Sequence, residues 1–233
     1  MSFRFKQFAV RQSRAAMKVG TDGVLLGAWT QVGESDRRIL DIGTGTGVIA
    51  LMMAQRVAAA HVTAVEIDPP SAADARDNVA ASSWSGRVEV VEGDIADYAP
   101  EEPFDLIVSN PPYFSDSLLP PDSGRAAARH TCSLTFDRLA DAVVRMLAPE
   151  GRFALILPVD EALGFRTTAI SRGLFPQRMT EVWSTPRSGA IRLLAEYARR
   201  PLPQPAGADR IVIDDGGFTA EYRALTKDFY LKF

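Results

Sequence analysis

The chain has 233 residues, of which 46% are hydrophobic and 24% are charged, and its formal net charge is −3. A chain of this size and composition can bury a full core without disulfides, and its single cysteine, Cys132, cannot form an internal bridge. Because the sequence has no apolar run of membrane-spanning length and no signal-peptide core, we expect a cytoplasmic protein without a membrane partner. We expect one domain over residues 1–233, with 1–37 as an amino-terminal cap segment.

Strands and helices are predicted to alternate along most of the chain. Apolar runs predict five strands, near 38–42, 61–66, 87–92, 104–109 and 152–157. Helices are predicted between them. This order is typical of a parallel sheet whose ligand lies at the carboxyl ends of the strands.

The carboxyl-terminal part of the chain predicts a different arrangement. Two further strands, 177–184 and 190–198, are joined by a short turn and predict an antiparallel hairpin. The Pro-rich residues 199–209 predict a loop, followed by a short tail. The expected fold class is therefore α/β, with a Rossmann-like, doubly wound, mostly parallel sheet of seven strands closed by the hairpin.

A glycine-rich turn follows the first predicted core strand. Gly43, Gly45 and Gly47 alternate with Thr44 and Thr46 before a helical pattern begins. Glycines let a ligand lie against the backbone, and the helix amino terminus offers free N–H groups. A dinucleotide site has glycines at the first, third and sixth positions, but the sixth position here is a valine, which argues against NAD.

Two carboxylates flank this turn and indicate which ligand it binds. Asp41 lies just before the glycines, where it would repel a pyrophosphate but could bind the ammonium of an amino acid. Glu66 ends the next predicted strand, nineteen residues after Gly47, where it could accept both hydroxyls of a ribose. An adenosine joined to an amino acid fits both groups, and S-adenosylmethionine is such a cofactor.

The fourth core strand is followed by Asn110, Pro111, Pro112 and Tyr113. The Asn110 side-chain oxygen and the Pro111 carbonyl could each accept a hydrogen bond from a conjugated amino group, which would aim its lone pair at an electrophile. The prolines fix the backbone, and the tyrosine offers a face for stacking a flat substrate. The alternative is a simple turn after a strand, since Asn and Pro are common turn residues.

Cations near the two predicted motifs indicate a nucleic-acid partner. The net charge of −3 argues against one, but net charge hides distribution. The first 18 residues contain no acidic residue, and three phenylalanines alternate with the basic residues there. The candidate RNA-contacting residues are Arg4, Lys6, Arg11, Arg14, Arg125 and Arg129. For any one of them, a solvated surface charge is the simpler interpretation.

The order of these motifs resembles a known family. Asp-x-Gly-x-Gly-x-Gly, an acidic residue, Gly93-Asp94-Ile95 and then Asn-Pro-Pro-Tyr are similar to the class I, Rossmann-like S-adenosylmethionine methyltransferases that act on amino nitrogens. The segments 5–8, 17–29 and 225–230 resemble those of the bacterial tRNA (adenine-N6)-methyltransferases that act next to the anticodon of a valine tRNA. This resemblance implies methylation of the exocyclic N6 of an adenine in tRNA.

The resemblance also implies a role for each matching residue. Asp41 and the glycines would hold the methionine part of the cofactor, and Glu66 the ribose. Asp94 and Ile95 would contact the adenine, while the amino-terminal residues would close over the cofactor. Asn110, Pro111, Pro112 and Tyr113 would grip the target base. The full set of expected cofactor-binding residues is Lys18, Thr21, Asp22, Asp41, Gly43, Gly45, Gly47, Glu66, Ile67, Asp94, Ile95 and Asn110.

Other interpretations remain open at this point. The same chemistry could act on a glutamine of a release factor, a guanine amino group in ribosomal RNA or an adenine in DNA. The fold could also serve as a non-catalytic adaptor. The two histidines and one cysteine show no metal-ligand spacing, so no metal is expected. Nothing in the sequence indicates the oligomeric state.

Overall fold

The computed structural model describes residues 2–15, 17–112, 134–204 and 207–232. Its strands are β1 Ser2–Arg4, β2 Ala9–Arg11, β3 Arg38–Ile42, β4 His61–Glu66, β5 Val88–Glu92, β6 Phe104–Ser109, β7 Leu147–Leu157, β8 Phe175–Trp183, β9 Ala190–Ala198 and β10 Ala208–Val212. Its helices are α1 Thr21–Trp29, α2 Val48–Arg56, α3 Pro69–Ala80, α4 Phe136–Met146, α5 Val159–Ser171 and α6 Ala220–Thr226.

Eight of these strands form one sheet, in the order β10-β8-β9-β7-β6-β3-β4-β5. Every neighbouring pair is parallel except the two that involve β9, which runs antiparallel to both β7 and β8. The predicted Rossmann-like sheet with its closing hairpin is confirmed. The strand order reverses between β3 and β6, and such a switch point opens a crevice at the carboxyl ends of the strands.

The central strands are apolar because helices cover both faces of the sheet. Successive residues of β6 enter different cores: Leu106 and Val108 pack with α1 and α2, whereas Ile107 packs with α4 and α5. α3 begins at Pro69, and the Asp68 side chain caps it by accepting a hydrogen bond of 3.0 Å from the Ser71 N–H. This agrees with the rule that proline is tolerated in a first helical turn.

The carboxyl-terminal part corrects two predictions. Within the described residues the sheet has eight strands rather than seven, because β10 pairs in parallel with β8 beyond the hairpin. The expected tail contains α6, which Thr219 caps through the Tyr222 N–H. In β10 only Ile211 is buried, so its sequence lacks the apolar run that reveals the central strands.

The phenylalanines of the cap segment form a packed cluster instead of alternating with cations along a surface. Phe5 and Phe8 are buried and stacked on each other at 4.6 Å between ring centroids. Phe5 also stacks on Tyr230 near the other end of the chain, and Phe8 packs edge-on against Trp84. In the described ranges, no helix is long and apolar enough to cross a membrane.

Candidate active site

A cavity of about 390 Å³ opens at the carboxyl edge of β3, β4 and β6. Its volume is within the range typical of small-molecule sites. Many of the predicted site residues line this cavity: Lys18, Gly43, Gly45, Glu66, Ile67, Asp94, Ile95, Asn110 and Pro112. Apart from Lys18, which precedes α1, these residues lie at or shortly after the carboxyl ends of strands, and this brings them together from distant parts of the chain.

The glycine turn forms the floor of the cavity. Gly43, Gly45 and Gly47 have positive φ angles of 70°, 59° and 83°, which L side chains rarely adopt. A Cβ at Gly43 or Gly45 would meet no protein atom within 4 Å. The turn is therefore shaped so that a ligand can approach its backbone. Gly47 instead faces Ala75 and is the N-cap residue directly before α2.

Asp41 is fully buried beneath this turn. Its Oδ2 accepts hydrogen bonds from the Thr44 hydroxyl at 2.6 Å and the Ala50 N–H at 3.1 Å. Among the described residues its Oδ1 has no hydrogen-bond partner. Burial raises the pKa of Asp41 to about 7, reinforced by the nearby Glu66 charge and opposed by the hydrogen bonds from Thr44 and Ala50. Asp41 thus supports the turn with one oxygen and keeps the other unpartnered.

The backbone holds both oxygens of Glu66. Oε2 accepts the Gly45 N–H at 2.8 Å, and Oε1 accepts the Asp68 N–H at 2.9 Å. Each carboxylate oxygen has more than one acceptor site, so both can still accept a ligand hydroxyl. The side chain lines the cavity next to Ile67, which is 45% exposed. This arrangement matches the expected site for a ribose with an adjoining ring.

Asp94 is paired with a cation that the sequence did not reveal. Its Oδ2 accepts a hydrogen bond of 2.5 Å from Arg138 Nη2, and its Oδ1 accepts the Ala96 N–H at 2.9 Å. Burial alone would raise the pKa of Asp94, but these contacts hold that pKa below its usual range. Arg138 lies in the first turn of α4 and also lines the cavity. No motif or spacing distinguishes this arginine from other helix arginines in the sequence.

Asn110 and Pro112 follow β6 at the mouth of the cavity. In the described part of the chain, the Oδ1 of Asn110 is shielded from solvent and has no hydrogen-bond partner. A shielded, unpartnered amide oxygen is costly unless a ligand donates to it. Pro111 is buried behind these residues. Tyr113 lies outside the described residues, so its predicted stacking role stays a prediction.

The cap segment forms one wall of the cavity with Met17, Lys18, Val19, Gly20 and Gly23. The Lys18 ammonium donates to the backbone carbonyls of Gln12 and Ala15, at 2.7 and 2.8 Å, so it stabilises the segment's own loop.

The other two predicted cap residues, Thr21 and Asp22, begin α1 beside this wall. Asp22 forms an ion pair of 2.7 Å with Arg192 of β9. The roles predicted for Lys18, Thr21 and Asp22 in cofactor binding stay predictions.

The predicted RNA-contacting residues do not all lie near the cavity. Lys6 lies beside the carboxyl ends of α1 and α2, at the opposite edge of the sheet. Arg14 is paired with Asp77 at 2.8 Å. Arg4 and Arg11 are exposed on the two strands of the small amino-terminal hairpin. Arg125 and Arg129 lie outside the described residues.

The residues present fit S-adenosylmethionine. The open space above Gly43 and Gly45 suits the amino-acid part, and Glu66 suits the ribose. Asp41 is buried beneath the turn and is not among the residues that line the cavity, so its predicted contact with the cofactor stays a prediction. The Asp94 carboxylate suits the amino group of the cofactor's adenine. In the residues that the structure describes, no group of three or more His, Cys, Asp or Glu could hold a metal ion.

Comparison with known proteins agrees with this interpretation. The model of the methyltransferase small domain family matches residues 12–157. The chain is 49% identical over 236 residues to the tRNA1(Val) (adenine(37)-N6)-methyltransferase of Phocaeicola vulgatus, covering 98% of this chain and 97% of that protein. It is 46% identical over 235 residues to the protein of the same name from Trichodesmium erythraeum, covering 99% and 98% of the two chains.

Solved structures show the same fold at lower identity. A protein of Agrobacterium tumefaciens described as a predicted O-methyltransferase aligns with a TM-score of 0.65 and 24% identity, covering 89% of this chain and 96% of that one. A glycopeptide N-methyltransferase, MtfA, complexed with S-adenosyl-L-methionine aligns with a TM-score of 0.53 and 16% identity, covering 78% and 89%. With near full-length relatives at almost half identity and a family model that matches most of the chain, the protein belongs to the methyltransferase small domain family.

Proposed function

We propose that this protein transfers a methyl group from S-adenosylmethionine to the exocyclic N6 of adenine 37 in tRNA1(Val). The relatives that match over almost the whole chain carry this activity in their names. The structural observation that carries the proposal is the unpartnered Asn110 Oδ1 at the mouth of the cavity. A site of this kind accepts an N–H, and an adenine N6 offers two.

In this proposal the protein's main contribution is to position two molecules. The glycine turn with Asp41, Glu66 and Asp94 binds the cofactor and orients it in the cavity. When bound, the cofactor supplies an electrophilic methyl group on a sulfonium. The walls from the cap segment and from the start of α4 keep bulk water away from the reacting atoms.

Asn110 and Pro111 prepare the target amino group. The lone pair of N6 is delocalised into the adenine ring, so it is a poor nucleophile until the nitrogen becomes more tetrahedral. Hydrogen bonds from N6 to the Asn110 Oδ1 and to the Pro111 carbonyl favour that geometry. The nitrogen loses one proton as the new bond forms, and this proton passes to water, so no strong base is needed. Pro112 restricts the backbone that presents both acceptors.

The adenine must leave the anticodon loop to reach Asn110. Enzymes that act on bases extrude them into a pocket, and a base in a loop needs little energy to unstack. The extruded adenine would reach Asn110 through the mouth of the cavity. It follows that the phosphates on each side of the target base lie on the rim of the cavity.

The test is methyl transfer from labelled S-adenosylmethionine to a tRNA1(Val) transcript, followed by nucleoside digestion and mass spectrometry. N6-methyladenosine is expected, and a transcript with guanine at position 37 should not be labelled. Ribosomal RNA, DNA and release factor serve as parallel acceptors. Labelling of one of these instead would keep the chemistry and change the substrate.

Asn110→Ala separates an enzyme from a cofactor-binding adaptor. Loss of a preorganised acceptor should lower kcat roughly 100-fold or more. The Kd for S-adenosylhomocysteine should stay close to that of the wild type, because this proposal assigns the Asn110 Oδ1 to the acceptor amino group, although Asn110 was also expected among the cofactor-binding residues. Transfer that survives this substitution would contradict the proposed role of Asn110.

A further inference from the structure

The hairpin of β8 and β9 brings a cation to the same edge of the sheet as Asn110. Arg192 is near the start of β9, and the next residue, Leu193, pairs with Leu157, the last residue of β7. β7 runs parallel to β6, which ends just before Asn110. Arg192 therefore lies at the carboxyl edge of the sheet, on the opposite side of β7 from Asn110.

Hydrogen bonds to other described residues hold the Arg192 side chain. Its Nε donates to Asp22 Oδ2 at 2.7 Å, and its Nη1 donates to the Ile191 carbonyl at 2.9 Å. Arg192 and Asp22 keep 24% and 23% of their side-chain surface exposed. The guanidinium is thus held in one orientation with part of its surface open to solvent.

Asp22 and Arg192 lie beside the acceptor side of the cavity. The residue after Asp22 is Gly23, and a Cβ built on Gly23 would be 4.0 Å from Asn110 Nδ2. Of the described residues, Gly23 and Asn110 line the cavity, whereas Asp22 and Arg192 do not. The ion pair is therefore close to Asn110 and is not part of the cavity lining.

We infer that Arg192, oriented by Asp22, binds a backbone phosphate of the RNA beside the target adenosine. This inference rests on the proposed function. The planar guanidinium matches phosphate geometry, and phosphate contacts set the register of a protein on its nucleic acid. Of the predicted amino-terminal cations, Lys6 is excluded from this contact by its position, because it lies at the opposite edge of the sheet.

The experiment compares Arg192→Met with Arg200→Met in tRNA binding, measured by fluorescence anisotropy at several salt concentrations with S-adenosylhomocysteine present. Both variants lose one positive charge. Arg200 is paired with Glu150 at the opposite edge of the sheet. Arg192→Met should raise the Kd for tRNA roughly tenfold and reduce the slope of log Kd against log salt by about one. Arg200→Met should leave both close to wild type, and Arg192→Lys should restore the slope.

Equal Kd values and slopes for the two methionine variants would overturn the inference. A parallel loss of affinity for S-adenosylhomocysteine in Arg192→Met and in Arg192→Lys would also overturn it, because the residue would then act on the fold. The assay measures binding and does not depend on methyl transfer. A wild type that binds tRNA through Arg192 but methylates no adenine would contradict the proposed function and leave this inference standing.

Discussion

The two carboxyl oxygens of the buried Asp41 side chain have different surroundings. One oxygen holds the glycine turn through Thr44 and Ala50, while the other has no partner in the described part of the structure. Because burial raises its pKa to about 7, the carboxyl group is only partly ionised near neutral pH. If the ammonium of the cofactor binds near Asp41, as predicted, it should favour the ionised form, and we therefore expect cofactor binding to release a proton.

The first prediction follows from this proton. The affinity for S-adenosylhomocysteine should rise as the pH increases through about 7 and then level off, as measured by calorimetry between pH 6 and 8. Asp41→Asn should weaken binding and remove the pH dependence. A wild-type affinity that is flat across this range would show that Asp41 is already ionised without ligand.

The second prediction concerns the stability of the ligand-free protein. The pKa of Asp41 is raised from 3.8 to about 7 on folding, so the unfolded chain loses this proton first as the pH rises. The Asp41 contribution to the free energy of unfolding is therefore full below pH 3.8 and is lost progressively up to about pH 7. This contribution is measured by urea unfolding of the wild type and of Asp41→Asn at pH 5 and at pH 8. The stability of the wild type relative to Asp41→Asn should be lower at pH 8.

The third prediction tests the ion pair of Asp94 and Arg138. A cation in the first turn of a helix opposes the helix dipole, so the contact with Asp94 compensates an unfavourable position. Arg138→Gln should weaken binding of S-adenosylhomocysteine by about 1 kcal/mol, roughly fivefold in Kd. Arg76→Gln, which breaks the exposed pair with Glu92, is the control. Equal affinities for the two variants would exclude a role for Arg138 in positioning Asp94.

The site residues that the sequence predicts lie at strand ends, whereas those that it does not reveal depend on partners far away along the chain. Asp41, Glu66 and Asn110 end apolar strands or follow them directly, so the strand pattern alone predicts that they meet. Arg138 reaches Asp94 from 44 residues away along the chain, out of a helix whose position relative to the cavity depends on tertiary packing. The pairing of Asp22 with Arg192 spans 170 residues and is equally invisible in the sequence.

At the scale of elements, β6 and β7 meet at a glycine that has no room for a side chain. A Cβ on Gly151 would be 2.9 Å from the Phe104 carbonyl oxygen and 2.8 Å from a Leu147 methyl group. The register between the strands shifts at Phe104 and Leu106, next to this contact. Close approach of the two backbones therefore requires glycine here.

The fourth prediction uses this glycine. Gly151→Ala should lower the free energy of unfolding by about 1–3 kcal/mol, because backbone atoms cannot yield as a flexible side chain can. Gly86→Ala is the matched control, since a Cβ there would meet no atom within 4 Å. Urea unfolding of both variants measures the difference. Two equally stable variants would mean that β6 and β7 adjust without cost.

The strands of the central sheet were predictable because their burial leaves a continuous apolar run. The predicted bounds 38–42, 61–66 and 104–109 are those of β3, β4 and β6. β7 begins five residues earlier than the predicted 152, at Leu147, because that residue pairs with Phe104 across the register shift. β1, β2, β10 and α6 are short, and their burial comes from distant partners, so local periodicity does not reveal them.

On the scale of the whole molecule, an aromatic cluster joins the cap segment to the region after α6. Phe5 is 4% exposed and Phe229 2%, and the Phe5 backbone bridges to Tyr230. The fifth prediction is that Phe5→Ala lowers the free energy of unfolding by about 3 kcal/mol or more. Phe218→Ala, at a ring that is 43% exposed, should cost less than about 1 kcal/mol. Phe5→Ala should also speed amide hydrogen exchange in residues 2–15, and unchanged exchange in these residues would contradict the prediction.

The contact between these regions also sets an order of assembly during translation. The Lys6 ammonium donates to the carbonyl of Lys227, 221 residues later, so the ribosome makes almost the whole chain before this contact can form. Until then Phe5 lacks one of its ring partners, Tyr230, and the face that Tyr230 covers has no partner from the end of the chain. A chain that stalls before residue 227 would leave the Tyr230-facing side of the Phe5 ring uncovered, and chaperones and proteases distinguish unfinished molecules by such apolar surface.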